Sequence, residues 1–166
     1  LDFCTKVIDL KTGKVRLARR NDYVTKSLNV SGVGDASKAT RWLEFLDQTF
    51  LGDKDLIDWI KRFLGYLLTG QTSEQIFLFL FGLGANGKGV FTETIRHIMG
   101  DYSRMIEPET LAETKRQAGQ ASPDVAALVG ARVGISTETP EGSMLNENFI
   151  KSLVGGDRMT ARRLYE

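Results

Sequence analysis

Lys88 is the residue whose neighbours say most about chemistry. It nearly closes the run Ile76-Phe77-Leu78-Phe79-Leu80-Phe81-Gly82-Leu83-Gly84-Ala85-Asn86-Gly87-Lys88-Gly89, in which an apolar stretch leads straight into a glycine-rich turn. The layout Gly82-x4-Gly87-Lys88 is that of a phosphate-binding loop. Backbone N–H groups that curl around phosphate oxygens need dihedrals that a Cβ obstructs, hence the glycines. Lys88 adds a point charge for β- and γ-phosphates. Gly82, Gly84, Ala85, Asn86, Gly87, Lys88, Gly89 and Val90 are therefore the candidate nucleotide-binding residues. One position departs from the motif: a Ser or Thr normally follows the lysine and offers its hydroxyl to Mg²⁺, whereas this chain has Gly89. A metal-bound water suits that place better than Thr92, which lies a helical turn further on.

Such a loop works only if the elements around it hold it. Residues 76–81 form a continuous apolar run, as expected of a central strand covered on both faces. Downstream, Phe91, Ile95, Ile98 and Met99 recur near helical spacing, with Gly100 as a stop. Strand, loop and helix in that order aim a helix N-terminus at the anion. Further on, Ser122-Pro123-Asp124 starts a short helix that Gly130 ends, and residues 131–136 read as a second strand delivering Thr137-Glu138-Thr139. A nucleotide hydrolase needs an acid at such a strand end, to hold Mg²⁺ through water and to orient the attacking water. Glu138 is the candidate for both the catalytic and the metal role; the alternative is an ordinary surface glutamate.

With 166 residues, 42% hydrophobic and 26% charged, the chain can bury one full core with a small appended subdomain. Its longest apolar stretch is far too short to cross a bilayer, and no signal-peptide pattern opens it, so no membrane partner is expected. A lone Cys4 fits a reducing cytosol. The chain opens on Leu1 and closes on Glu166 within an extended pattern, and it reads as a piece of something larger.

The net charge of +1 hides an uneven distribution. Between positions 6 and 26, Lys6, Lys11, Lys14, Arg16, Arg19, Arg20 and Lys26 face only Asp9 and Asp22. Such a patch attracts nucleic acid or another anion; a solvated face on a small hairpin explains it equally well. Val7-Ile8-Asp9-Leu10 and Val15-Arg16-Leu17 read as the two strands of that hairpin, and Ser- and Gly-rich residues 27–38 as a connector. Two helices follow. Trp42, Leu43, Phe45, Leu46 and Phe50 share one side of the first, and Leu56, Ile60, Phe63, Leu64 and Leu67 form a stripe on the second, with Asp53 as N-cap. These aromatics belong to a core rather than to a ligand. The expected architecture is α/β: a hairpin and helical subdomain over 1–70, then an ATP-binding core over 71–166.

The last segment carries a separate signal. Residues 145–153 read as a capped helix stopped by Gly155-Gly156, and residues 157–165 resume in an extended pattern bearing Arg158, Arg162 and Arg163. In a nucleic-acid enzyme these arginines, with Lys151, are candidate phosphate contacts; otherwise they are a solvated edge.

Taken together, these motifs resemble the superfamily 3 helicase core of phage and plasmid primase-helicases. The resemblance spans nearly the whole chain, from Val7-Ile8-Asp9-Leu10-x-Thr12-Gly13 and Asp22-Tyr23-x-Thr25-Lys26 through Phe63-Leu64-Gly65-Tyr66-Leu67-Leu68-Thr69-Gly70 to Gly84-Ala85-Asn86-Gly87-Lys88. Its most specific part is Glu138-Thr139-x-Glu141-Gly142-x-x-Leu145-Asn146-Glu147, followed by Ile150-Lys151 and Gly155-Gly156-Asp157-x-x-Thr160-Ala161-Arg162. The resemblance implies an AAA+-like P-loop ATPase core that uses ATP and Mg²⁺, assembles as a homo-oligomeric ring (a hexamer), and moves along single-stranded DNA in the cytoplasm of a bacterial host. A primase, fused or separate, is an implied partner. Lys88 matches the phosphate-binding lysine and Glu138 the metal- and water-orienting acid; many relatives carry a second acid where this chain has Thr139. Residues from Lys151 to Arg163 match the motif leading into the DNA-contacting hairpin. The γ-phosphate sensor and the arginine finger have no counterpart within these residues, so the active site is incomplete if this is the whole polypeptide.

Two other classes compete. A small-molecule kinase requires a mobile arginine-bearing lid between residues 101 and 130, where Arg104, Lys115 and Arg116 are few. A non-catalytic nucleotide-binding or assembly module accounts for Gly89 and Thr139. The only histidine, His97, leaves no His-based general acid or metal cluster within the chain.

Overall fold

The computed structural model describes residues 6–30, 34–113, 123–137, 142–157 and 161. Contacts group the chain into two compact units, Leu1–Thr69 with Leu83–Asp101, and Gly70–Gly82 with Tyr102–Glu166.

The first unit opens on an antiparallel hairpin of β1 (Lys6–Ile8) and β2 (Val15–Leu17), with Lys6 opposite Leu17 and Ile8 opposite Val15. Asp9 and Leu10, expected in the first strand, lie in the turn instead: Asp9 Oδ1 accepts the N–H groups of Lys11 and Thr12 at 2.9 and 3.1 Å, which folds the chain back after Ile8, and Gly13 lies at φ +67°. Those hydrogen bonds hold the Asp9 carboxyl below its ordinary pKa. A 3-10 turn at Arg20–Asp22 follows, clamped to β2 by the two-point pair of Arg16 with Asp22 at 2.6 and 2.7 Å. That pair, with the Arg19 N–H, lowers the Asp22 pKa to about 2.

Three helices make the core of this unit: α1 (Thr40–Thr49), α2 (Lys54–Leu67) and α3 (Lys88–Met99). Asp53 caps α2 as its spacing predicts, accepting the Leu56 N–H at 3.0 Å. The buried side chains are Leu46, Ile57, Ile60, Phe91, Ile95 and Met99. Trp42 bridges the first and third helices, stacking on Phe45 at 5.3 Å and on Phe91 at 6.0 Å, while Phe50 meets Phe91 edge-on. Of the aromatics expected in a core, Trp42, Phe45, Phe50 and Phe63 are half-buried, and the fully buried ring among the described residues is that of Phe91. Leu43 and Leu56, expected on the apolar sides, are instead exposed, and Ile57 takes the buried place on α2. A helical stripe is about a hundred degrees wide, so spacing alone does not choose between adjacent residues at its border.

The second unit is organised by a parallel pair, β3 (Ser103–Ile106) and β4 (Val133–Ser136), registered with Ser103 beside Val133 and Ile106 beside Ser136. Two short helices, α4 (Pro108–Leu111) and α5 (Pro123–Ala127), lie between them in sequence. The buried Thr110 hydroxyl donates to Asp124 Oδ2 at 3.0 Å and ties the two together. Ile106, Leu111, Ala112, Val125, Ala126 and Val133 form the core. Gly134 lets Ile106 pack close, since a Cβ there would sit 2.5 Å from Ile106 Cδ1 and displace that side chain. Arg132 lays its guanidinium 3.9 Å from the centre of the Tyr102 ring. The last helix, α6 (Glu147–Gly155), is capped by Asn146 through the Phe149 N–H and closed by Gly156 in the left-handed region.

One expected element differs. Residues 76–81 belong to no helix or strand and join no sheet; the described sheets are the two pairs above. Phe79 is 63% exposed and Phe81 84%. An apolar run makes a strand only where a neighbouring strand offers its N–H and C=O groups, and among the described residues none pairs with this one.

Candidate nucleotide-binding site

The loop before α3 takes the backbone path that its glycines permit. Gly84 lies at φ +98°, Ala85 at +48° and Gly87 at +83°, so three of four consecutive residues occupy conformations that L side chains disfavour. Gly87 is under a second constraint: a Cβ would come within 3.0 Å of both Phe45 Cε2 and Thr49 Oγ1. The loop is thus seated on α1 at its last glycine. At Gly84 the direction a Cβ would take is open.

Gly87 is also the N-cap of α3, and no side chain caps that helix. Its first helical hydrogen bond runs from the Phe91 N–H to the Gly87 carbonyl at 2.9 Å, which leaves the first-turn N–H groups, those of Gly89 and Val90 among them, ahead of the helical ladder. Uncapped N–H groups and the positive end of the helix dipole favour an anion there. Lys88 is half-buried and donates from Nζ to Asn86 Oδ1 at 3.0 Å, so the loop's own amide steers the ammonium. The opposite end of the helix carries Arg96, paired with Glu93 at 2.6 Å, and the exposed His97.

The metal side of the site is thinner. Gly89 has no hydroxyl, and the Thr92 hydroxyl donates back to the Lys88 and Gly89 carbonyls, at 3.1 and 3.2 Å. Among the described residues no group of three or more His, Cys, Asp or Glu side chains could hold a metal ion.

The candidate residues fall into three sets. Residues 84–90 come together in the loop and first turn of α3, within the first unit, while Gly82 ends the segment that belongs to the second. Lys151 sits on α6 in the second unit, exposed, with its ammonium 3.3 Å from Glu147 one turn back. Glu138, Arg158, Arg162 and Arg163 lie outside the described residues. Sequence reasoning missed Ser136, the last residue of β4, whose hydroxyl is buried with no hydrogen-bond partner among the described residues. Buried hydroxyls are normally satisfied, so an orphan two residues before the candidate acid is a functional pointer that only burial reveals.

The loop and helix together present an uncapped helix start, a geometry that favours an anion. Related proteins carry a more particular name. The chain is 34% identical over 114 residues to "Putative helicase L207/L206" of Acanthamoeba polyphaga mimivirus, covering 69% of this chain and 12% of that protein. It is 32% identical over 97 residues to "Putative helicase 022R" of Frog virus 3 (isolate Goorha), covering 58% of this chain and 10% of that protein. Over 170 aligned residues it is 26% identical to "Putative helicase 121R" of Invertebrate iridescent virus 3, covering 99% of this chain and 18% of that protein. The chain therefore spans less than a fifth of the length of these curated relatives, and it is similar to one segment of viral proteins named as helicases. No family model matches it. No solved structure matches it. Among the described residues no helix is long and apolar enough to cross a membrane.

Proposed function

We propose that this chain is part of an ATP-dependent helicase, an AAA+-like P-loop ATPase core of the superfamily 3 kind that moves on single-stranded DNA. The observation that carries the reading is the loop of left-handed residues ending at the uncapped start of α3, with Lys88 steered by Asn86. The helicase names of the viral relatives support it. In this reading the first-turn N–H groups bind phosphate oxygens, and Lys88 neutralises charge at the β- and γ-phosphates. Glu138 orients the attacking water. Bound Mg²⁺ would offset phosphate charge; with Gly89 at the usual hydroxyl position, its protein contact falls to Glu138 through water. Lys151, Arg158, Arg162 and Arg163 contact the strand's phosphates, and a homo-oligomeric ring, a hexamer, places several such sets on one strand. A primase partner and a phage or plasmid setting rest on the motif resemblance alone; the relatives found are viral.

A second reading has its own observation. With no hydroxyl at Gly89 and that of Thr92 bonded within the helix, a nucleotide-binding module without hydrolysis fits the metal side of the site. Titration with a fluorescent ATP analogue, followed by single-turnover hydrolysis with and without single-stranded DNA, decides. Lys88→Ala is expected to weaken binding at least tenfold, since a charge-assisted contact contributes about 1.5–3 kcal/mol. Glu138→Gln should suppress turnover while leaving binding in place. Gly89→Ser fits sterically, because nothing lies within 4 Å of that Cβ direction, and should strengthen metal dependence. Equal affinity in Lys88→Ala and the parent sinks the nucleotide site; DNA-insensitive or absent hydrolysis with intact binding favours the second reading.

A further inference from the structure

The basic segment at the start of the chain is not absorbed by the nucleotide site. In the structure both of its acids are engaged: Asp22 by the Arg16 guanidinium and the Arg19 N–H, and Asp9 by the N–H groups of its own turn. Lys11 and Lys14 flank the hairpin tip, and Arg19 and Arg20 enter the 3-10 turn that the Arg16–Asp22 clamp folds against β2; all four are exposed. The turn ends on Tyr23, a non-glycine residue at φ +50° whose side chain is 84% exposed. An aromatic ring held in solvent beside basic side chains has the makings of a base-stacking platform.

The segment is also anchored. The Ser27 N–H and hydroxyl both donate to Asp101 Oδ2, at 3.0 and 3.1 Å, the Asp101 N–H returns to the Ser27 carbonyl at 3.1 Å, and the Asn29 N–H reaches the Ile98 carbonyl at 3.1 Å. Gly100 makes this approach possible, since a Cβ there would stand 2.8 Å from the Ser27 carbonyl oxygen. The segment following Tyr23 is thereby fastened to the C-terminal end of α3, the helix whose other end is the candidate phosphate site.

We propose that the hairpin and its following turn bind single-stranded nucleic acid, with phosphates on Lys11, Lys14, Arg19 and Arg20 and one base stacked on Tyr23. This surface is separate from the Lys151–Arg163 region and does not depend on the nucleotide site. Phosphate contacts supply salt-dependent affinity, and the ring supplies the preference for unpaired bases, which alone expose a face to stack. Through the Ser27–Asp101 anchor, load on the bound strand reaches α3.

Anisotropy of a labelled oligodeoxythymidylate, titrated with the full chain without nucleotide across a salt series, tests this. Replacing Lys11, Lys14, Arg19 and Arg20 together with Ala should flatten the slope of log affinity against log salt by up to about 3, at roughly 0.7 per contact. Tyr23→Asn, which keeps a residue tolerant of the left-handed region, should lower affinity roughly tenfold with the slope unchanged, and Tyr23→Trp should restore it. Lys88→Ala should bind the oligonucleotide like the parent, which separates failure of this surface from failure of the nucleotide site. Circular dichroism confirms that each variant is folded. A parent slope in the fourfold variant overturns the phosphate surface. Parent affinity in Tyr23→Asn, or equal affinity for the corresponding duplex, overturns the stacking.

Discussion

Two adjacent stretches carry equally strong sequence signals and end differently. The loop and α3, residues 84–99, form as their glycines and apolar spacing predict, with Phe91 only 2% exposed. The run at 76–81 is the most apolar in the chain, yet it joins no sheet among the described residues and leaves Phe81 84% exposed. A helix satisfies its backbone from within, one turn to the next, so its local signal suffices. A strand borrows its hydrogen bonds from a neighbour, so its signal is a request that another segment must meet.

Core truncation gives the widest test of this contrast. Phe91→Ala should cost about 3–5 kcal/mol, because it removes the ring against which Trp42 and Phe50 pack. Phe81→Ser should stay within about 0.5 kcal/mol and reduce binding of a hydrophobic dye. Denaturant titration of both variants measures the difference. Equal losses would show that the 76–81 run is buried in solution and erase the contrast.

Gly87→Ala comes next. A side chain at φ +83° pressed against Phe45 and Thr49 should cost about 1–3 kcal/mol, and relief by a loop shift should show as weakened binding of the ATP analogue. Full stability with full binding would mean the loop does not need its left-handed path. Smaller still is Asp53→Ala, where loss of the Leu56 N–H contact should lower stability by about 1 kcal/mol in the same titration.

The hairpin supplies the smallest effect and the sharpest sign. Because Asp22 titrates lower in the folded chain than in the unfolded one, the stability it contributes is present above the ordinary carboxylate pKa and is lost as pH falls toward about 2. Stability measured from about pH 8 down to about pH 5 should therefore change no more in the parent than in Asp22→Asn, with the two converging only in stronger acid. Early convergence would mean that the Arg16–Asp22 clamp does not hold in solution.

Sequence by itself determined the locally closed features. The Asp53 and Asn146 caps, the helix stops at Gly100 and Gly156, and the left-handed path into Lys88 each depend on residues within a few positions of one another. Tertiary structure decided what depends on distant partners. It paired β3 with β4 and left residues 76–81 unpaired among the described residues. It chose Ile57 over Leu56 for burial, hid the Ser136 hydroxyl, and joined Ser27 to Asp101 across most of the first unit's sequence. Capping and backbone handedness act over one turn of chain and are written in residue order, whereas strand pairing and burial belong to whichever segments the fold brings together.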